Sequence, residues 1–102
     1  MTWTKEQFLI SVKDGNDNEI YRKYVNGITS TIETIKVGIH KSEATKDWII
    51  TDCGTGYVIH ITITQKAAKQ WVEDTAEMIE EVLNTPKRDK IVKEVNRCKI
   101  RQ

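Results

Sequence analysis

Between Trp48 and Leu83 the chain changes its hydrophobic period, and no other stretch so narrows the folds open to it. Trp48-Ile49-Ile50-Thr51-Asp52 and Tyr57-Val58-Ile59-His60-Ile61-Thr62-Ile63 alternate around Cys53-Gly54-Thr55-Gly56. Two period-2 runs about a glycine turn predict an antiparallel hairpin. A two-residue turn at Gly54-Thr55 pairs Cys53 with Gly56, Ile50 with Ile59 and Trp48 with Ile61. That register gathers Trp48, Ile50, Tyr57, Ile59, Ile61 and Ile63 on one face, leaving Ile49, Thr51, Cys53, Val58, His60 and Thr62 on the other. A slip of one residue would set Ile50 against His60 and Trp48 against Thr62. Half-buried sheets select against such mixing, so the first register is expected, with Trp48, Ile50, Ile59 and Ile61 packed on Trp71 and Ile79.

After Thr64 the period becomes 3.6. Ala68, Trp71, Val72, Thr75, Ile79, Val82 and Leu83 form one stripe, and Glu73, Asp74, Glu77, Glu80 and Glu81 fall mostly outside it. Asn84-Thr85-Pro86 ends that helix and caps another over about 86–98, with proline at its first position. Upstream, Ile35, Val37 and Ile39 alternate with Lys36, Gly38 and His40, predicting a strand over 32–40; Lys41 to Asp47 is a polar loop.

The N-terminal third reads as helical. Thr4-Lys5-Glu6-Gln7 fits a capping box, and Trp3 and Phe8 stand at the hydrophobic-staple positions. A helix over 5–14, stopped at Gly15, is expected. Ile20, Tyr21, Tyr24 and Val25 fit a short helix ended by Asn26-Gly27, although their tyrosine and valine content also suits an edge strand. The whole, residues 1–102, is expected to be a single α+β domain. Its architecture is an antiparallel three-stranded β-meander with N-terminal helices and a C-terminal helical hairpin on one face.

Length supports one core and no more. No apolar run approaches the ~20 residues that span a bilayer, and the N-terminus lacks the basic start and apolar middle of a signal peptide. Two cysteines without a dense framework suit free thiols in the cytoplasm. Net charge is only +1, but it is segregated. Residues 65–85 carry two lysines against five carboxylates, whereas residues 86–102 carry seven basic side chains against two acidic ones. A strongly acidic mimic of DNA is thereby excluded.

The chemistry-bearing residues do not assemble into a reaction centre. Cys53 and His60 share a face of the hairpin but lie roughly 13 Å apart at ~3.3 Å per residue, too far for a nucleophile and its base. His40 and His60, two strands apart, are expected to face solvent, and no zinc-ligand spacing appears. Asp14, Asn16 and Asn18 have the first spacings of a calcium loop, but Glu19 and Val25 stand where glycine and a bidentate glutamate belong. Gly54-Thr55-Gly56 precedes a strand, not the helix a phosphate loop needs, and Asp52 is a lone carboxylate. No catalytic residue, metal or cofactor is expected. The cationic side chains Lys87, Arg88, Lys90, Lys93, Arg97, Lys99 and Arg101 could track phosphates. They are expected instead to pair with the acidic helix that a two-residue connection folds back beside them.

Two resemblances bear on partners. The expected order of helix, three strands and helix over residues 5–83 resembles a double-stranded-RNA-binding domain, and Lys66-Ala67-Ala68-Lys69 is similar to that family's lysine-alanine motif. The resemblance implies that Lys66 and Lys69 contact phosphates. The order αβββαα also resembles small phage inhibitors of CRISPR nucleases, which occupy a surface of a larger enzyme. The expectation is therefore a non-catalytic protein-binding module, a phage or mobile-element inhibitor of a host defence nuclease. Its partner would be another protein, with a homodimer compatible. The alternative is a nucleic-acid binder using Lys66, Lys69 and the basic C-terminal helix.

Overall fold

Five strands precede two helices in the computed structural model, which describes residues 1–102. They are β1 (Thr4–Lys13), β2 (Ile20–Ile32), β3 (Ile35–Lys41), β4 (Trp48–Asp52), β5 (Val58–Thr62), α1 (Gln65–Leu83) and α2 (Pro86–Val95). The strands form one antiparallel sheet in the order β1-β2-β3-β4-β5. The class is α+β as expected, but the sheet has five strands, not three, and no helix precedes it.

The expected helix over 5–14 is β1. It pairs with β2 over ten residues, from Thr4 opposite Thr29 to Lys13 opposite Ile20, so Thr4 caps nothing. A capping box contributes about 1 kcal/mol, whereas burying one large apolar side chain stabilises by ~1.5–3 kcal/mol. Only the extended form buries Phe8 on the sheet, and Ile10 and Val12 follow it in the same alternation. The turn between the strands is Asp14–Glu19, where Asp14 Oδ1 accepts from the Asn16 amide at 2.8 Å and Asp17 Oδ1 from the Glu19 amide at 2.9 Å.

The expected helix over 19–26 is likewise strand, because both edges of β2 are used there. β1 lies along one. Along the other runs the C-terminal segment: the Arg22 amide donates to the Lys99 carbonyl, and the Arg101 amide to the Arg22 carbonyl, each at 2.7 Å. Arg22 and Ile100 thus form a parallel bridge across most of the chain's length.

The core lies between the sheet and α1. Ile28, Ile39 and Ile50 stand opposite one another on β2, β3 and β4, and with Ile32, Ile35 and Val37 they pack on Ala68, Val72 and Ile79. α1 begins at Thr64, whose hydroxyl accepts from the Ala67 amide at 3.0 Å. α2 begins at Thr85, whose hydroxyl accepts from the Arg88 amide at 3.2 Å. The two helices divide the sheet between them, α1 lying over β3, β4 and β5 while α2 meets β2.

The opposite face is drawn together by Phe8. Its ring lies over Gly38 and Gly27, where a Cβ would intrude on it. It meets His40 edge-on at 5.8 Å. Further along β1, Ser11 donates its amide to the Gly56 carbonyl at 3.0 Å and its hydroxyl to the Thr55 carbonyl at 2.6 Å. Those partners belong to the β4–β5 loop, at the far end of the strand order. The sheet therefore coils until its first strand meets its last hairpin.

The hairpin takes the register that face-sorting disfavoured: Trp48 opposes Thr62, Ile49 opposes Ile61 and Ile50 opposes His60. A bulge then restores Thr51 opposite Val58, and the connection is Cys53–Tyr57, not a two-residue turn. The consequence is a changed burial pattern. Ile50 and Ile79 are buried and Trp48, Ile59 and Trp71 pack partly on the core, but Ile61 is 52% exposed and Val82 63%. The cost of placing His60 toward the helix is offset by its ring stacking on Trp71 at 4.3 Å, 13° from parallel.

Phe8→Ala should destabilise the fold by about 3–5 kcal/mol, the range for a large core aromatic, measured by urea denaturation. A loss below ~1 kcal/mol would mean that Phe8 does not hold the coiled sheet together.

Candidate functional site

Asp52, which the sequence shows without a catalytic partner, is the best-satisfied side chain of the molecule. Asp52, at the end of β4, receives Nε and Nη2 of Arg88 at 2.8 Å each, the Gly54 amide at 3.0 Å and the Thr55 hydroxyl at 3.0 Å. Burial alone would push the Asp52 carboxyl up. The bidentate guanidinium, the Gly54 amide and the Thr55 hydroxyl outweigh it and hold the group below its usual range. Arg88 reaches across Gly54, where a Cβ would collide with its guanidinium. The contact joins the end of β4 to α2 as a bidentate fastener.

That contact reassigns one expected phosphate ligand. Arg88 is largely enclosed and its fork is occupied. Lys66, Lys87, Lys90, Lys93 and Arg97 remain exposed and make no ion pair, and Lys69 is half-buried. The expected pairing of the acidic and basic helices is absent: no carboxylate of α1 bridges to a cation of α2. The physical reason is that α2 leans on β2, anchored by buried Val95 and by Arg22 Nη1 donating to Asn96 Oδ1 at 3.2 Å. Arg101 is also engaged, on Asp14 at 2.7 Å and over the Tyr21 ring at 4.5 Å. Along α2, Lys90 and Lys93 lie away from Val95 and Ile91, Lys87 lies one turn before Ile91, and Arg97 follows just past the helix end. Lys66 and Lys69 do not join them, since α1 puts roughly 21 Å of helix between Lys69 and Leu83 at ~1.5 Å per residue.

The candidate nucleophile and bases stay apart chemically. Burial pushes the Cys53 thiol up to about 12, and only the thiolate is nucleophilic. His40 is buried, contrary to the solvent-facing position expected of it, because β1 folds across its face. Burial, reinforced by the charge of Lys23, holds its imidazole below the ordinary value. His60 is exposed as expected, with one ring face covered by Trp71.

A surface that sequence reasoning placed in the core is instead open. β5 pairs only with β4, and no backbone hydrogen bond outside that ladder uses residues 58–63. Tyr57, Val58, Ile61 and Ile63 are 40%, 57%, 52% and 83% exposed. The neighbouring flank of α1 adds Met78 at 50% and Val82 at 63%. One signal marks this surface in the sequence: from Cys53 to Gln65 there is no charged residue, in a chain where 30% are charged. Edge strands of monomeric proteins usually carry charges that repel a visiting strand, as β1 does with Lys5, Glu6 and Lys13.

No helix is long and apolar enough to cross a membrane. Comparison with protein-family models, with curated proteins and with solved structures returns no match.

Arg88→Ala should cost about 3–5 kcal/mol, because it strands a buried carboxylate. Asp52→Leu with Arg88→Met should recover most of that loss. Stability should also fall in acid. The unfolded chain protonates Asp52 near pH 4 and His40 near pH 6.5, each at higher pH than the fold does. The decline therefore begins below about pH 6.5 and steepens below about pH 4, and Asp52→Asn should flatten the lower step in denaturant titrations across pH.

Proposed function

We propose that this chain is a non-catalytic protein-binding module whose principal contact surface is the free β5 edge with the adjoining flank of α1. One observation carries the reading: an apolar edge strand lies unpaired and uncharged on a molecule otherwise dense in charge. Unpaired backbone donors and acceptors on such an edge are a template for strand addition, in which main-chain bonds give affinity and alternate side chains give selectivity. In its narrowest form the proposal is an inhibitor of phage or mobile-element origin that occupies a surface of a host defence nuclease. Neither the αβββαα order nor the αβββα order behind the two resemblances is present, so this form rests on the binding surface alone.

A second reading has its own support. Lys87, Lys90, Lys93 and Arg97 are exposed cations on and just beyond α2 with no internal ion-pair partner, which suits phosphates or an acidic protein. Arg88 has no part in it.

Capture from bacterial lysate on immobilised protein, with and without nuclease, separates the two. Under the first reading Ile61→Lys abolishes capture and nuclease leaves it unchanged. Under the second, Lys90→Glu with Lys93→Glu abolishes it. Because those lysines pair with nothing internally, the charge reversals should change stability by less than ~0.5 kcal/mol. Retention of duplex DNA or RNA at micromolar protein and ~150 mM salt, with a log–log salt slope near −0.7 to −0.9 per phosphate, would make the α2 face the functional surface.

A further inference from the structure

The bare edge is suited to one occupant above others. At about 100° per residue, Ala67, Trp71, Thr75, Met78 and Val82 fall along one flank of α1, and none is charged. Lys66, Lys69, Glu73, Glu77 and Glu80 fall on the opposite flank. The stacking of Trp71 on His60 shows which flank adjoins β5: the uncharged one. The edge is therefore flanked by apolar side chains on both faces, Val58 and Ile61 on the face away from α1 and the α1 flank on the other.

Its size matters to what can cover it. Tyr57, Val58, Ile61, Ile63, Met78 and Val82, each at least 40% exposed, present on the order of 600 Å² per molecule, against ~800 Å² per partner in a standard interface. The β5 backbone contributes more. An unrelated partner would need its own free strand and its own apolar helix at the matching height. A second copy has both, and a two-fold axis brings them into place together, since such an interface is self-complementary. No like charges oppose across the paired strands, because residues 53–65 contain none; opposed like charges are what forbid most edges from self-pairing. The two α1 dipoles would also run antiparallel, a favourable arrangement.

We propose that β5 pairs antiparallel with β5 of a second copy, giving a continuous ten-stranded sheet with the two α1 helices side by side, Met78 and Val82 between them. This rests on the reading of the β5 edge as a protein-binding surface and names its occupant.

Sedimentation equilibrium of the full chain from about 1 to 200 µM, with amide exchange over residues 57–64, tests it. The expected result is a dimer, with exchange at β5 slowing as concentration rises. Ile61→Lys, and independently Met78→Lys, should weaken dimerisation by about thirtyfold or more, the effect of losing a central contact, with unchanged circular dichroism. Tyr24→Lys, on the distant part of β2, should leave it unchanged. A monomer throughout, or a mass that climbs past the dimer, overturns the two-fold pairing. A lysine-tagged synthetic peptide of residues 57–64 then distinguishes the levels. If it binds the monomer and slows β5 exchange, the edge is a strand-addition site and only the self-pairing fails. If it does not, both fail.

Discussion

The bidentate contact between Asp52 and Arg88 is the constraint around which the other elements are arranged. It joins the end of β4 to the first turn of α2, over 36 residues of sequence. On the strand side it lengthens the β4–β5 connection, because the Asp52 carboxylate gathers the Gly54 amide and the Thr55 hydroxyl into a loop that a two-residue turn could not form. That loop presents the Gly56 and Thr55 carbonyls to Ser11 and so closes the coil of the sheet. On the helix side it fixes α2 beneath β2, where Arg22 and the segment 99–101 add their bonds. A buried pair of this kind contributes little net stability compared with apolar packing of equal volume. Its value here is geometric, since it selects one hairpin register and one seat for α2.

Register and surface follow from that choice. Once the loop takes five residues and β4–β5 carries a bulge, His60 turns toward α1 and Ile61 toward solvent. The stacking of His60 on Trp71 and the partial burial of Ile59 limit what is lost from the core. What is gained is an edge strand with an apolar outer side, next to an uncharged helix flank. Charges are plentiful elsewhere in the molecule, so their absence over residues 53–65 is local. That locality sets the β5 edge apart from the charged β1 edge.

Several elements were legible because their signals are short-range. The capping threonines Thr64 and Thr85, the proline at the start of α2, the Ile35-Val37-Ile39 alternation and the Ala68-Val72-Ile79 line all act within one turn or one strand. The first 32 residues misled for the same reason. Thr4 to Gln7 resembles a capping box, and Tyr21 to Val25 fits a helical stripe, yet both segments are strands because each finds a partner far away in sequence. For β1 that partner is β2, and for β2 it is also the C-terminal segment at Lys99–Arg101. The basic residues divided along the same line: Lys87, Lys90, Lys93 and Arg97 stayed on the surface, while Arg88 found Asp52.

By itself, then, the sequence determined the class, the two C-terminal helices with their caps, the hairpin over Trp48–Thr62 and the uncharged run that marks its outer edge. These depend on periodicity and on bonds between near neighbours. Tertiary structure alone decided the strand identity of residues 4–32, the hairpin register, the burial of His40 under Phe8 and the occupation of Arg88. Each of those turns on a contact between residues distant in the chain, whose free energy exceeds the ~1 kcal/mol that local propensity and capping can oppose to it.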